Sequence, residues 1–243
     1  MFDLASFSLS LPLEREEGRF RFGFTTKAFG DGRDQDVRAK LLAQTGATTL
    51  VAPKQTHGSD VCVVDTDGNI PENGCDALVT NRSGLLLTVL TADCVPIIYL
   101  DRTTGVIGVS HQGWRGSLAR MAQKTVEAMV KAGASVAAIE AFIGPAISGE
   151  VYDVTKDRYT TFRNEFFPYA HLFAKHRDGK YFLDLPELNV QQLLESGLGV
   201  TNITSYRRCT YSEPDQFFSY RRDAKTEFGE MLAYVCMKAD TTS

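Results

Sequence analysis

Three short apolar runs, rich in β-branched residues, constrain this chain more than any other feature. They span residues 85–90, 95–100 and 106–110. Runs of this length and composition are typical of buried strands. The sequence therefore predicts a buried β-sheet near the middle of the chain.

Helical segments lie among these strands without a strict strand–helix alternation. The apolar residues of segment 117–132 recur at helical spacing, and Gly133 follows as a stop signal. We therefore expect an α/β fold in which mixed β-sheets form a layered sandwich with outer helices. No repeat or linker divides the 243 residues, so we expect residues 1–243 to form a single catalytic domain.

The same patterns assign the remaining segments. Expected helices are 35–46, 155–167 and 186–196. Expected strands are two within 1–25, two within 49–64, and one each in 138–143, 203–211 and 217–221. Segment 231–237 fits either a strand or a terminal helix.

A tight reversal after residue 100 predicts that two reactive side chains meet. Residues 101–104 suit a four-residue hairpin loop, which would pair Leu100 with Gly105 and Cys94 with His111. Directly opposite residues of an antiparallel pair lie about 4.5–5.5 Å apart at Cβ and point to the same face. The thiol and the imidazole should therefore stand side by side at the open end of the hairpin.

A second imidazole, His57 in the segment KQTHGSD, completes a candidate metal site. The chain has only four histidines, and we expect His171 and His176, five residues apart, on the surface. Zinc favours nitrogen and sulfur ligands, and its catalytic sites use three protein ligands. We therefore predict His57, Cys94 and His111 as metal ligands. Their spacing matches no zinc finger, so a buried cysteine beside a structurally bonded histidine stays open as the alternative.

The cysteine content and the net charge bear on where the protein is expected to be located and on which partners it is expected to bind. Five cysteines without a CxxC motif, and no export signal, predict a cytoplasmic protein without a disulfide framework. The thiols outside the candidate site are expected to fill the core: Cys62, Cys75, Cys209 and Cys236. Of these, Cys209 alone stays open for another role, because it belongs to one of the motifs described below. A net charge of −4 without a basic block argues against nucleic-acid binding, and no apolar run is long enough for a membrane span. The sequence does not determine the oligomeric state.

Five segments together resemble the YfiH family, also called the laccase-domain family: QTHG, TADC, HQGWRG, IGPAI and CTYSEPDQFFSYRRD. The resemblance implies a layered α/β fold and a His–Cys–His zinc site at His57, Cys94 and His111. It also implies purine nucleoside phosphorylase activity on adenosine, inosine and methylthioadenosine, with adenosine deaminase activity. A bacterial member is implicated in editing peptidoglycan precursors that carry the wrong amino acid.

Phosphorolysis requires cations that hold a phosphate dianion. The candidates are Lys27, Arg115 of GWRG and Arg221 of SYRR, although a single arginine is more often part of a surface ion pair. In the predicted strand, Ser219 and Arg221 share a face. Where the family usually has T-R-x-G-G, this chain has Lys27, which lacks the planar fork of arginine. The TGR segment that usually follows SYRRD is also replaced, by KTEFGEM.

Other reactions would use the same residues differently. Four histidines are too few for a multicopper oxidase, although copper could occupy the single site in vitro. The zinc deaminase motifs H-x-E and P-C-x-x-C are absent, so deamination would use the predicted ligands. Asp93 would then serve as a proton carrier or partner, or simply cap a turn. Without metal, Cys94 activated by His111 could act as a hydrolase nucleophile, and a non-catalytic metal-binding protein is the remaining class.

Overall fold

The computed structural model of the chain describes residues 13–226 and 229–238. Within them, the strands form sheets of five, six and three strands. The strands are β1 (Glu14–Glu17), β2 (Phe20–Phe24), β3 (Thr49–Val51), β4 (Val61–Val63), β5 (Ala77–Thr80), β6 (Leu85–Thr91), β7 (Val95–Asp101), β8 (Val106–Gln112), β9 (Ile139–Ile143), β10 (Asp153–Val154), β11 (Ala174–Arg177), β12 (Lys180–Leu183), β13 (Ile203–Ser205) and β14 (Met231–Met237). The helices are α1 (Gln35–Thr45), α2 (Trp114–Leu118), α3 (Met121–Lys131), α4 (Lys156–Glu165), α5 (Ala170–Phe173), α6 (Leu185–Glu195) and α7 (Tyr220–Asp223).

Two mixed sheets pack face to face at the centre of the fold. The five-stranded sheet has the order β1-β2-β14-β6-β3, and the six-stranded sheet has the order β13-β9-β7-β8-β5-β4. Helix α1 packs on the outer face of the first through Leu41. Helices α3 to α6 pack on the outer face of the second. The predicted α/β class, with mixed β-sheets in a layered sandwich and outer helices, is confirmed.

Strand β7 explains why the central runs are continuously apolar. Ile97 and Tyr99 pack toward the helices, whereas Ile98 and Leu100 pack toward the five-stranded sheet. Successive side chains of a strand point to opposite faces, and both faces are covered here. All four side chains are fully buried, and burying one of this kind contributes about 1.5–3 kcal/mol.

Most predicted elements are present close to their expected limits. Segments 35–46, 155–167 and 186–196 correspond to α1, α4 and α6, and the three central runs are β6, β7 and β8. Segment 231–237 is a strand, which pairs with β2 on one side and β6 on the other. Of the two strands predicted within residues 1–25, β1 and β2 are observed, and residues 1–12 lie outside the described residues.

The single helix predicted over segment 117–132 is wrong in outline. The chain instead forms α2 and α3, which are separated because Arg120 adopts left-handed backbone angles. Helix α2 also begins three residues earlier than expected, at Trp114. Local spacing identifies helical residues but does not reveal the break between the two helices at Arg120.

Of the strands predicted over segments 203–211 and 217–221, the first is right only in part and the second is wrong. Segment 203–211 is a strand only as far as Ser205. Segment 217–221 contains no strand, and Tyr220–Asp223 forms α7 with Ser219 as its N-cap. The Ser219 Oγ accepts the N–H of Arg222 at 3.2 Å. Ser219 and Arg221 therefore do not share a strand face, because capping overrides the apolar pattern.

The hairpin between β7 and β8 is shifted from its predicted register. Its last pair is Asp101 with Val106, and His111 stands opposite Pro96 rather than Cys94. Asp101 causes the shift because its carboxylate accepts the N–H groups of two loop residues and its carbonyl accepts that of Gly105. Gly105 has φ of 76°, which places it in the turn instead of in a strand.

Cys62 and Cys75 form a disulfide, which corrects their prediction as packing thiols. Cys62 lies in β4, and Cys75 lies just before β5. These two strands pair in parallel, with Cys62 opposite Leu78, so sheet formation brings the cysteines together. A separation of 13 residues carries no such signal in the sequence. Cys209 and Cys236 are buried free thiols, as predicted.

The described helices are short, none exceeding 11 residues. None of them combines the length and the apolar character that crossing a bilayer demands.

Candidate metal centre

Three side chains suited to metal binding converge at one end of the six-stranded sheet. His111 lies near the end of β8, Cys94 directly precedes β7, and His57 lies in the loop before β4. Their ligand atoms all lie within 4.8 Å of one another. The two imidazole rings have centroids 4.7 Å apart and are almost perpendicular, at 82°. The three residues predicted as ligands are therefore together in space.

The register shift of the hairpin does not separate Cys94 from His111. His111 is opposite Pro96, so Cys94 lies one diagonal step away, two residues before Pro96. A shift of two residues keeps a side chain on the same face of a sheet, whereas a shift of one would reverse it. The meeting was thus predicted correctly from an incorrect pairing.

The three donor atoms are close enough to share a single ion. A tetrahedral ion with bonds of about 2.0–2.3 Å holds its ligand atoms roughly 3.3–3.8 Å apart. The donor atoms of the three side chains lie within 4.8 Å of one another, so an ion would hold them somewhat closer together. A Cβ at Gly113 would lie 3.4 Å from Cys94 Sγ, 3.5 Å from His57 and 3.7 Å from His111. Glycine therefore keeps this approach free, and the donor set fits a transition metal.

Asp76 holds two of the three candidate ligands, and sequence analysis did not identify it. Its Oδ1 lies 2.9 Å from His111 Nδ1 and accepts the His57 N–H at 3.0 Å. Its Oδ2 accepts the N–H groups of Thr56 and Gly58 and the Thr56 hydroxyl. A carboxylate on Nδ1 leaves Nε2 of His111 for the metal and fixes the ring orientation. Only the pairing of β5 with β8 brings Asp76 to His111, so local sequence gives no signal for it.

The electrostatics of the cluster favour a thiolate. Burial opposes charge on Cys94, but His111 and His57 outweigh burial and lower the pKa of Cys94 to about 7. Burial also opposes charge on His111, but the Cys94 sulfur and Asp76 raise the pKa of His111 to about 10. Hydrogen bonds from His111, Gly58 and Thr56 outweigh burial at Asp76 and hold its pKa well below the usual range. A thiolate is the form in which cysteine binds metals.

Asp93 organises the loop that follows β13. Its Oδ1 accepts the Thr210 hydroxyl at 2.6 Å, and its Oδ2 accepts the Arg221 N–H at 2.8 Å. Both carboxylate oxygens are thus engaged with the C-terminal part of the chain. Asp93 therefore joins the segment next to Cys94 to the segment that carries Arg221.

The two arginines of SYRR have different environments. Arg222 donates to the carbonyl groups of Thr210, Tyr211 and Phe217, so it holds the loop together. Arg221 is exposed, and its guanidinium donates to the Asp153 carboxylate at 2.8 Å and to the Asp153 carbonyl. The bonding role of Arg222 was missed because a strand was predicted there.

The other two predicted phosphate-binding residues lie on separate elements. Lys27 is exposed, with its Nζ 3.5 Å from the Pro214 carbonyl and 5.6 Å from the Phe218 ring centroid. Arg115 lies on α2, exposed, with its Cζ 4.5 Å from the Trp114 ring centroid. The structure therefore places Lys27 against the C-terminal loop and Arg115 directly beyond Gly113.

The aromatic residues near the motifs are not equivalent. Trp114 is partly buried, and a second arginine, Arg158, lies 4.2 Å from its ring centroid. Phe217 is fully buried and belongs to the core, whereas Tyr220 is 58% exposed. Phe217 is thus excluded from a substrate-facing surface, and Trp114 and Tyr220 are not.

The two packed mixed sheets place the chain in a fold class with solved members. The Bacillus licheniformis hypothetical protein YfiH superposes with a TM-score of 0.82, covering 94% of this chain and 98% of that chain at 28% identity. The purine nucleoside phosphorylase of Deinococcus radiodurans is 39% identical over 233 residues, covering 87% of each chain. Adenosine deaminase RL5 from an unknown prokaryotic organism is 35% identical over 198 residues, covering 77% of this chain and 76% of its own length.

The chain belongs to the YfiH, or laccase-domain, family, because the family model described as multi-copper polyphenol oxidoreductase laccase matches residues 30–238. The resemblance inferred from the sequence motifs is confirmed.

Proposed function

We propose that this protein is a zinc-dependent purine nucleoside phosphorylase that acts on adenosine, inosine and methylthioadenosine, with adenosine deamination as a side reaction. The observation that carries the proposal is the His57–Cys94–His111 cluster, open beside Gly113 and next to the arginine of GWRG. Two nitrogens and one sulfur with a free position suit catalytic zinc. Relatives named purine nucleoside phosphorylase and adenosine deaminase support the choice of substrates.

The reaction exchanges one bond at the ribose. An oxygen of phosphate forms a bond to C1′ while the bond from C1′ to the purine nitrogen breaks, and its electron pair leaves with the purine. We assign Lys27, Arg115 and Arg221 to hold the phosphate. A zinc ion held by the cluster would supply Lewis-acid chemistry at this end of the sheet.

The remaining residues keep the reacting groups in place. Asp76 fixes the ring of His111 and the backbone of His57. Within the catalytic set of Cys94, His111 and Asp93, the two hydrogen bonds of Asp93 favour positioning of the Arg221 loop over proton transfer. The proposed partners are nucleosides and phosphate.

Metal analysis combined with turnover tests this proposal. The purified protein should hold one zinc ion per chain, and inosine should yield hypoxanthine only when phosphate is present. A chelator should remove both metal and activity, and added zinc should restore them. His57→Ala should lose metal, whereas the surface variant His171→Ala should keep it. Full phosphorolysis by protein that is free of metal would refute zinc dependence.

The thiolate–imidazolium arrangement of Cys94 and His111 favours one second candidate, a cysteine-nucleophile or metal-assisted hydrolase that edits peptidoglycan precursors. In the metal-free version, His57 is not needed. Activity on such precursors that survives both the chelator and His57→Ala would support it. We do not propose a copper laccase, because the four histidines of the chain are too few to hold a blue-copper site and a trinuclear cluster.

A further inference from the structure

Two arginines contact the indole that adjoins the metal-binding cluster. The Cζ of Arg158 lies 4.2 Å from the Trp114 ring centroid, and that of Arg115 lies 4.5 Å from it. Trp114 follows Gly113, the residue whose missing Cβ faces all three candidate ligands. Arg158 comes from a different part of the chain, the first turn of α4. Folding therefore adds a second guanidinium beside Arg115.

Within the described part of the chain, no ion pair neutralises the charge of this arginine pair. Among residues 13–226 and 229–238, neither Arg115 nor Arg158 takes part in a salt bridge. Arg221 differs, because it is paired with Asp153. Asp157, the carboxylate next to Arg158 in the chain, forms no salt bridge with it within the same described ranges. Uncompensated guanidinium groups beside a catalytic cluster attract anions.

Tyr152 links Arg158 to the rest of the site. Its side chain lies close to Arg158, whose charge acts on its pKa, and the Cζ of Arg221 lies 5.1 Å from its ring centroid. Burial raises the pKa of Tyr152, so the hydroxyl remains a neutral hydrogen-bonding group. Because Trp114 and Tyr152 both contact Arg158, the guanidinium has little freedom to turn away from the site.

We propose that Arg158 binds the phosphate group that reacts at this site, together with Arg115. Arginine presents two parallel N–H donors that match two phosphate oxygens. Lys27 lacks this geometry, and Arg221 would first have to break its ion pair with Asp153. Arg158 and Arg115 therefore supply the guanidinium donors that hold no carboxylate in the described residues. The inference rests on the proposed phosphorolysis for its kinetic test, but phosphate binding itself can be measured without turnover.

The experiment compares two arginines of the same helix. Arg158→Ala, Arg158→Lys and Tyr152→Phe are purified with their metal, with Arg163→Ala as the control. Arg163 lies on α4 and stacks 5.7 Å from the Tyr159 ring centroid, away from Trp114. The measurements are KM for phosphate and KM for inosine in phosphorolysis, the rate of adenosine deamination, and the binding of inorganic phosphate by calorimetry.

We expect Arg158→Ala to raise KM for phosphate roughly 10- to 100-fold, the usual effect of losing a hydrogen bond to a charged group. KM for inosine should change much less, and the ratio of phosphorolysis to deamination should fall at least about tenfold. Arg158→Lys should be intermediate, because it keeps charge without the fork. Tyr152→Phe should cause a smaller rise in the same parameter, and Arg163→Ala should match the parent protein.

Several outcomes would overturn the proposal. They are an unchanged KM for phosphate in Arg158→Ala, an equal fall in phosphorolysis and deamination, and an equal effect of Arg163→Ala. If the parent protein binds phosphate through Arg158 but does not cleave nucleosides, the proposed function fails while this inference stands. Turnover or tight binding of inosine 5′-monophosphate, lost in Arg158→Ala, would assign the phosphate to a nucleotide instead of to free phosphate.

Discussion

The two sides of the candidate site are built from different parts of the fold. The ligand side consists of His57, Asp76, Cys94 and His111. The last three lie at the ends of β5, β7 and β8, and the backbone of His57 is hydrogen-bonded to Asp76. The cation side consists of Lys27, Arg115, Arg158 and Arg221. Lys27 begins a 3-10 turn, Arg115 and Arg221 lie on the short helices α2 and α7, and Arg158 lies on α4. The first side is held by a buried carboxylate, and the second is largely exposed. The candidate metal ligands are therefore held by buried strand ends, whereas the cationic side chains lie at the surface.

The largest expected effect comes from removing the sulfur on the ligand side. Cys94→Ala should abolish tight metal binding and lower turnover at least about 1,000-fold, since one of three ligands is lost. Metal content measured by mass spectrometry and nucleoside turnover check this. The matched control is Cys209→Ala, which removes another free thiol that is not part of the cluster. If Cys94→Ala retained one tightly bound zinc ion, Cys94 would not be a metal ligand, and the assignment of metal binding to the ligand side would fail.

The carboxylate behind the ligands should have the next largest effect. Asp76→Asn should weaken metal binding about 10- to 100-fold, as removal of a carboxylate that orients a ligand histidine usually does. Competition with a fluorescent chelator measures the affinity. Asp101→Asn is the control, because Asp101 is also fully buried and accepts backbone N–H groups but lies at the hairpin loop. Asp101→Asn should lower stability and leave metal affinity unchanged, and equal losses in the two variants would contradict the orienting role.

The lowered pKa of Cys94 predicts an effect of about tenfold in the metal-free protein. An ordinary thiol has a pKa of about 8.5 and is mostly protonated at pH 7, whereas a thiol with a pKa of about 7 is half ionised there. Alkylation by iodoacetamide should therefore rise with pH around a midpoint near 7. Peptide mass spectrometry identifies the labelled residue, and Cys94→Ala provides the background. A midpoint of 8.5 or above would show that the two histidines do not stabilise the thiolate.

The smallest effect is expected on the cation side. Lys27→Arg should lower KM for phosphate about threefold, because it introduces a planar fork that can donate to two phosphate oxygens. Lys40→Arg is the control, since Lys40 also lies over a phenylalanine ring, with its Nζ 4.3 Å from the Phe29 centroid. No change with Lys27→Arg, or the same change with Lys40→Arg, would remove Lys27 from the phosphate-binding residues.

Sequence patterns predicted the ligand side better than the cation side. Cys94 and His111 were brought together by a simple hairpin argument that tolerated an error of two residues. Asp76 escaped because only the pairing of β5 with β8 places it beside His111. Local patterns carry information on neighbours along one hairpin but not on strands that meet from elsewhere in the chain.

The cation side depended on contacts between distant segments. Arg221 was expected on a strand but lies in a short helix, where its N–H is bound by Asp93, 128 residues away in sequence. Arg158 gave no signal at all, because nothing in the first turn of α4 indicates that it contacts Trp114. The layered fold was predictable because burial on both faces leaves a direct trace in composition, as in β7.

A glycine can be required at a position by its backbone conformation or by the space that a side chain would fill, and Gly113 illustrates the second reason. Its φ of −67° and ψ of 171° are open to any residue, so conformation does not require glycine there. A methyl group at this position would instead contact the Cys94 sulfur and the imidazoles of His57 and His111. Gly113→Ala should therefore give a protein that folds normally yet admits ligands poorly. Metal affinity measured beside the unfolding temperature of this variant would separate an effect on the site from an effect on the fold.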